Sequence, residues 1–129
     1  MRKKNSATIL VVNNDPSILC LIEELLSANE YQTILASSGE EALDIVSKQN
    51  SIDLLLSDID MPGINGIVLA KQFCALYPEI KVLFMSGCIF PSTLFRILGK
   101  KVTFLKKPFH VDTLVEMIKA VLAKPVPVS

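Results

Sequence analysis

Short unbroken apolar runs alternate along this chain with longer stretches in which apolar residues recur every three or four positions. Ile9-Leu10-Val11-Val12 has no polar face, the pattern of a central parallel strand covered on both sides. Thr33-Ile34-Leu35-Ala36 reads as a second strand, Leu54 to Ser57 as a third, Val82-Leu83-Phe84-Met85 as a fourth and Thr103-Phe104-Leu105 as a fifth. After the first strand, Ile18, Leu19, Ile22, Leu25 and Leu26 mark a helix that begins at Pro16 with Asp15 as its N-cap and runs to about Asn29. Ser38 before Gly39-Glu40-Glu41 caps a second helix, with Ala42, Leu43, Ile45 and Val46 on its inner face. Val68, Leu69, Gln72, Phe73 and Leu76 mark a third, stopped at Tyr77-Pro78 because the residue before a proline disfavours helical geometry. Pro91 to about Leu98 predicts a short fourth helix. His110 to Ala123 predicts a fifth, with Leu114, Val115, Ile118 and Leu122 inward.

Five strands alternating with five helices, joined by right-handed crossovers, predict an α/β protein: a doubly wound, five-stranded parallel sheet with helices on both faces. A chain of 129 residues holds one such domain, over residues 7–123, with 1–6 as an N-terminal tail. Lys124-Pro125-Val126-Pro127-Val128-Ser129 cannot continue a helix and reads as a C-terminal tail or linker stub. The most organised stretch runs from Asp53 to Gly66. Its apolar run is broken by Asp58 and then by Pro62, Gly63 and Gly66, so Asp58 falls at the carboxyl end of a strand, where open α/β sheets bind ligands. Every other polar candidate also follows a strand: Asn13, Asn14 and Asp15 the first, Asp60 the third, Ser86 the fourth, Lys107 the fifth. These loops converge on one edge of the sheet.

Composition narrows the classes. Thirteen basic residues balance thirteen acidic ones, so nothing biases the chain towards nucleic acid or an anionic membrane. The apolar run Thr8 to Val12 is too short for a signal peptide or a membrane span, and a cytoplasmic protein is expected. Cys20, Cys74 and Cys88 are odd in number and lie in or beside apolar runs, which predicts buried, reduced thiols. The single histidine, His110, has no companion ligand for zinc and fits a solvated or capping position at a helix start.

A carboxylate, a hydroxyl and an ammonium around one point suit phosphoryl transfer. Asp58 can attack phosphorus to form an acyl phosphate, while Lys107 and Ser86 bind the equatorial oxygens whose charge must be neutralised. Mg²⁺ would be expected to bridge Asp58 to the incoming group.

Ile9-Leu10-Val11-Val12, Asp58-Ile59-Asp60-Met61-Pro62-Gly63-Ile64-Asn65-Gly66, Met85-Ser86-Gly87 and Phe104-Leu105-Lys106-Lys107-Pro108-Phe109 occur in that order. Together they resemble the receiver domain of two-component response regulators, over roughly residues 7–123. The resemblance implies a flavodoxin-like sheet of strand order 2-1-3-4-5. It implies Asp58 as phosphoacceptor, Ser86 as switch hydroxyl, Lys107 as phosphoryl-binding lysine and Phe104 as an aromatic that changes rotamer. The implied metal set is Asp58, Asn14, the backbone carbonyl of Asp60, and Asn13. The implied donor is a histidine kinase or phosphotransfer protein, with a downstream effector on the surface of the fourth helix, fifth strand and fifth helix. Such a domain is a monomer or weak homodimer and a switch rather than an enzyme, apart from slow hydrolysis of its own acyl phosphate.

Two departures from that family qualify the resemblance. Asn13 and Asn14 stand where two acidic residues are usual, so two formal charges are missing from the metal set. At about 4 Å and an effective dielectric of about 20, one charge pair is worth roughly 4 kcal/mol before dehydration, and twice that against a divalent ion, so Mg²⁺ should bind weakly. Asp15 and Asp60 are nearby carboxylates that could compensate, or a helix cap and a solvated turn residue. Lys100-Lys101, with Lys106 and Lys107, forms a basic cluster that serves as a solvated face or a docking point. Phe90, Phe95 and Leu98 belong to the output surface or pack on the sheet.

Two other readings stand beside the switch. A degenerate receiver could act as an interaction module without phosphorylation. Asp58-x-Asp60 with Ser86 and Lys107 also resembles haloacid-dehalogenase-type phosphatases, although the acidic residues beyond Lys107, Asp112 and Glu116, lie on a predicted helix and no cap is present.

Overall fold

A computed structural model describes residues 7–48, 51–87 and 102–123 of the chain. Five strands, β1 (Thr8–Val12), β2 (Gln32–Ala36), β3 (Leu54–Asp58), β4 (Lys81–Ser86) and β5 (Val102–Lys106), form one sheet in the order β2-β1-β3-β4-β5. All four pairings are parallel. The helices are α1 (Pro16–Ala28), α2 (Gly39–Val46), α3 (Gly66–Leu76) and a C-terminal helix, α4 (Val111–Ala123). The doubly wound fold and its strand order are as the sequence predicts. The expected helix over 91–98, both tails, Cys88, Phe90, Phe95, Leu98, Lys100 and Lys101 lie outside the described residues.

Strict alternation along the strands sorts side chains onto two faces. Leu10 and Val12 of β1, Leu55 of β3, and Val82 and Phe84 of β4 point to one side, where they pack with Ala42 and Val46 of α2 and Leu69, Ala70 and Phe73 of α3. Ile9, Val11, Leu54, Leu56, Leu83, Met85 and Leu105 point to the other, against Leu19, Ile22 and Leu26 of α1 and Leu114, Ile118 and Val121 of α4. Both faces are covered, and this explains why the central strands carry no polar face.

The helix boundaries follow from local chemistry. Asp15 accepts from the Ser17 backbone N–H at 2.9 Å, with Pro16 directly inside the cap. Ser38 accepts from the Glu41 N–H at 3.0 Å, and the Glu41 carboxylate reaches back to the Ser37 N–H. Removing the hydroxyl in Ser38→Ala is expected to cost about 1 kcal/mol. A lower urea midpoint at unchanged slope would show it; an unchanged midpoint would mean that the cap contributes nothing.

Two expectations need correction, the burial of the cysteines and the start of the last helix, and two helix faces gain detail. Cys20 is exposed and Cys74 only half-buried. Cys20 follows the inward Leu19, and a step of roughly 100° around a helix turns it outward. On α3, Val68, Gln72 and Leu76 are exposed; the buried stripe is Gly66, Leu69, Ala70 and Phe73, spaced by three and four. On α4, Leu114, Val115 and Ile118 are buried and the half-buried Leu122 packs on the same cluster, as expected, with Val121 buried beside it. That helix begins at Val111, with the exposed His110 before it accepting the Leu114 N–H through its carbonyl at 3.2 Å.

Candidate functional site

The carboxyl ends of β1, β3, β4 and β5 meet at one edge of the sheet. Asp58 is the last residue of β3, pairs with Met85 of β4, and is 7 % exposed. The ladder continues one step beyond it, where the Ile59 N–H donates to the Met85 carbonyl at 3.1 Å. Asp58 therefore sits on rigid backbone rather than on a loop.

Lys107 reaches it from two strands away. Its backbone N–H donates to the Ser86 carbonyl at 2.8 Å, and its Nζ lies 3.0 Å from Asp58 Oδ2. The peptide bond that follows, Lys107–Pro108, is cis. The second carboxylate oxygen, Oδ1, accepts no hydrogen bond among the described residues. Asp58 thus has one oxygen paired with an ammonium and one without a hydrogen bond among the described residues. Beside Lys107, an apolar cavity of about 310 Å³ opens between α1 and α4, lined in part by Ile18, Ile22 and Leu114.

Ser86 ends β4 and is 1 % exposed, one position past the residue opposite Asp58. Phe104 of β5 pairs with Phe84 in the sheet, and their rings lie 5.6 Å apart, tilted by 31°. Phe104 is half-buried on the α2 and α3 side.

Asn13 directly follows β1 and is 2 % exposed. Its N–H donates to the Ala36 carbonyl at 3.1 Å and its Oδ1 accepts from the Asp15 N–H at 2.8 Å. Its side-chain Nδ2 is buried and has no hydrogen-bond partner among the described residues. Asn14 and Asp60 are exposed. Asp15 is also exposed, and its side chain serves as the α1 cap.

Sequence reasoning missed how the turn after β3 is held. The Gly66 N–H donates to the Ile59 carbonyl at 2.9 Å, and Asn65 caps α3 through the Val68 N–H at 3.0 Å. Gly63 adopts φ +75°, a left-handed turn conformation that glycine takes without strain. At Gly66 a Cβ would overlap the Asp58 carbonyl oxygen and come within 3.0 Å of the Ile59 Cα. The local signal was present in Asn65-Gly66, a cap followed by the smallest residue at a helix start. That its amide closes under the third strand is a tertiary fact.

This doubly wound parallel sheet joins a buried carboxylate and a lysine at its carboxyl edge, the place where open α/β sheets bind ligands. The sequence profile of the response regulator receiver domain matches residues 9–119. The chain is 35% identical over 119 residues to the transcriptional regulatory protein CpxR of Escherichia coli, covering 90% of this chain and 49% of CpxR. It is 34% identical over 116 residues to the sporulation initiation phosphotransferase F of Bacillus subtilis, covering 88% of this chain and 92% of that protein. Among solved structures, the receiver domain of the hybrid histidine kinase CckA superposes with a TM-score of 0.77 at 36% identity, covering 90% of this chain and 99% of that one. The chemotaxis protein CheY4 of Vibrio cholerae gives 0.82 at 26% identity, covering 90% and 98%.

The chain belongs to the response regulator receiver domain family. It is a phosphoryl-acceptor switch module of two-component signalling, and receiver domains are signalling switches that are generally non-enzymatic. The phosphatase and phosphorylation-independent readings are not favoured. The chain spans about half the length of CpxR, 49%. No helix among the described residues is long and apolar enough to cross a membrane.

Proposed function

We propose that Asp58 is the residue that takes the phosphoryl group, from a phosphohistidine on a histidine kinase or phosphotransfer protein. The observation that carries this reading is the 3.0 Å ion pair between Asp58 Oδ2 and Lys107 Nζ, beside an Oδ1 open to reaction. Oδ1 attacks phosphorus, the P–N bond to the donor imidazole breaks, and the imidazole leaves with the electron pair. Lys107 then exchanges its bond to Oδ2 for one to a phosphoryl oxygen, where charge has been added. Incubation with acetyl phosphate should add one phosphoryl mass, in a hydroxylamine-labile bond that maps to Asp58. An adduct elsewhere, or none, would end this assignment.

Ser86 and Phe104 are the proposed responders. A phosphoryl oxygen within reach of the Ser86 hydroxyl would draw it inward, and the half-buried Phe104 ring, tilted against Phe84, would follow into the space vacated. The expected readout is the surface of β5 and α4, where an effector would dock.

Receiver domains generally hold Mg²⁺ at an acidic pocket. The residues here do not fit that arrangement. Among the described residues no three His, Cys, Asp or Glu side chains are grouped to hold a metal. Among the described residues the one buried carboxylate is already paired with Lys107, and Asn13 has its oxygen engaged and its donor unengaged. Asn14 and the Asp60 carbonyl are left as neutral ligands. Calorimetric titration is therefore expected to show weak Mg²⁺ binding that Asn14→Asp tightens by about tenfold, the factor that 1.4 kcal/mol represents. Equal affinity in the two proteins would show that the lost charges do not matter.

A further inference from the structure

We infer that the Asn13 side-chain amide is a built-in hydrogen-bond donor to the phosphoryl group, and that this pocket phosphorylates Asp58 without a divalent cation. The inference rests on the reading of Asp58 as acceptor. Three observations carry it. The Asn13 side chain is almost fully buried, and its NH₂ lacks a partner among the described residues. A buried donor left unmatched is destabilising, so such groups are rare unless a ligand or ion completes them.

The orientation of the amide is fixed: Oδ1 accepts the Asp15 N–H at 2.8 Å, which turns the NH₂ away from the start of α1. The place is also fixed. Val12 pairs with Ser57, so Asn13 continues β1 alongside Asp58 at the end of β3. By alternation from Val11 and Leu56, both point to the α1 and α4 side of the sheet. Neighbouring strands run about 4.8 Å apart, so a group on Asp58 falls within reach of an amide on Asn13.

Residue type gives the chemistry. An aspartate at position 13 could only accept and would repel a phosphoryl dianion unless a cation lay between them. Asparagine reverses this, because its NH₂ donates directly to an oxygen while Lys107 supplies the positive charge. With acetyl phosphate the step balances without metal or proton. Asp58 Oδ1 forms a bond to phosphorus, the bond between phosphorus and the acetyl oxygen breaks, and acetate leaves with its electron pair.

The test is phosphorylation of the chain by acetyl phosphate in excess EDTA and, separately, in Mg²⁺, followed by intact mass and by the ¹⁵N side-chain amide resonance of Asn13. The expected result is an adduct whose rate is the same in both conditions to within about twofold, well below the tenfold that a lost cation contact of 1.4 kcal/mol would produce. The Asn13 NH₂ resonance should shift as it forms. Asn13→Ala should slow the reaction in EDTA by about tenfold or more, as for other donors to a developing charge. Asn13→Asp should react only with Mg²⁺. An adduct formed with Mg²⁺ but not with EDTA overturns the inference and leaves Asp58 as acceptor. Wild-type rates for Asn13→Ala in EDTA overturn the role of the amide. No adduct in either condition removes the acceptor reading and this inference together.

Discussion

Asp58→Ala is expected to abolish the phosphoryl adduct while leaving the fold intact. The Asp58 carboxylate is the buried acid at the carboxyl edge of the sheet, and its neighbours Asp15 and Asp60 are exposed, with Asp15 committed to capping α1. The Lys107 ammonium that neutralises attacking and transferred oxygens lies 3.0 Å from Asp58 Oδ2, which ties the reaction to this carboxylate. The loss should therefore be complete within detection rather than partial. Stability should change little, because Lys107 is 37% exposed and an ammonium released there is rehydrated. Mass measurement after acetyl phosphate treatment, paired with a urea melt, separates the two effects. A residual adduct on a folded Asp58→Ala chain would place the acceptor elsewhere.

Gly66→Ala is expected to destabilise the protein by about 3 kcal/mol, through backbone rather than through lost contacts. The added methyl would overlap the Asp58 carbonyl oxygen and press on the Ile59 Cα at 3.0 Å. Neither atom is free to move: the Ile59 N–H is tied to Met85 at 3.1 Å, and its carbonyl holds the Gly66 N–H at 2.9 Å. Relief requires α3 to withdraw, which would uncover Leu69 and Phe73, both fully buried. Overpacking that forces side chains off their rotamers and shifts backbone costs about 1–3 kcal/mol, occasionally more. Alanine normally improves a helix by up to about 1 kcal/mol over glycine, so the sign of the measured change decides between propensity and packing. Chemical denaturation that shows Gly66→Ala as stable as the wild type would mean that the turn after β3 can relax. A stable variant with slowed phosphorylation would place the distortion at Asp58 itself.

Much of the fold could be read before any coordinates. Unbroken apolar runs such as Leu54-Leu55-Leu56 can be satisfied only by a strand covered on both faces, and the caps at Asp15 and Ser38 act through residues two and three positions away. Such short-range rules survive folding. Apolar character and helical spacing do not by themselves say which stripe of a helix faces inward. Val68 and Leu76 have the hydrophobicity of core residues, yet lie on the outer side of α3, because the stripe that docks on the sheet is set by Gly66, Ala70 and Phe73. Which stripe wins depends on how closely the helix approaches the sheet, and small residues permit the closest approach. Cys20 turned outward for a similar reason.

The sequence by itself determined the chemical inventory: one aspartate at the end of a buried strand, a lysine before a proline, a serine after the fourth strand, and asparagines in place of acids. It also determined the alternation of strands and helices, since the periods of two and 3.6 are local properties of the backbone. Only the tertiary structure decided the contacts between them. The 3.0 Å pairing of Asp58 with Lys107 joins residues 49 positions apart, and the unmatched Asn13 amide owes its burial to the packing around the end of β1. Distances of that kind depend on sheet order and register, which no stretch of the chain encodes alone.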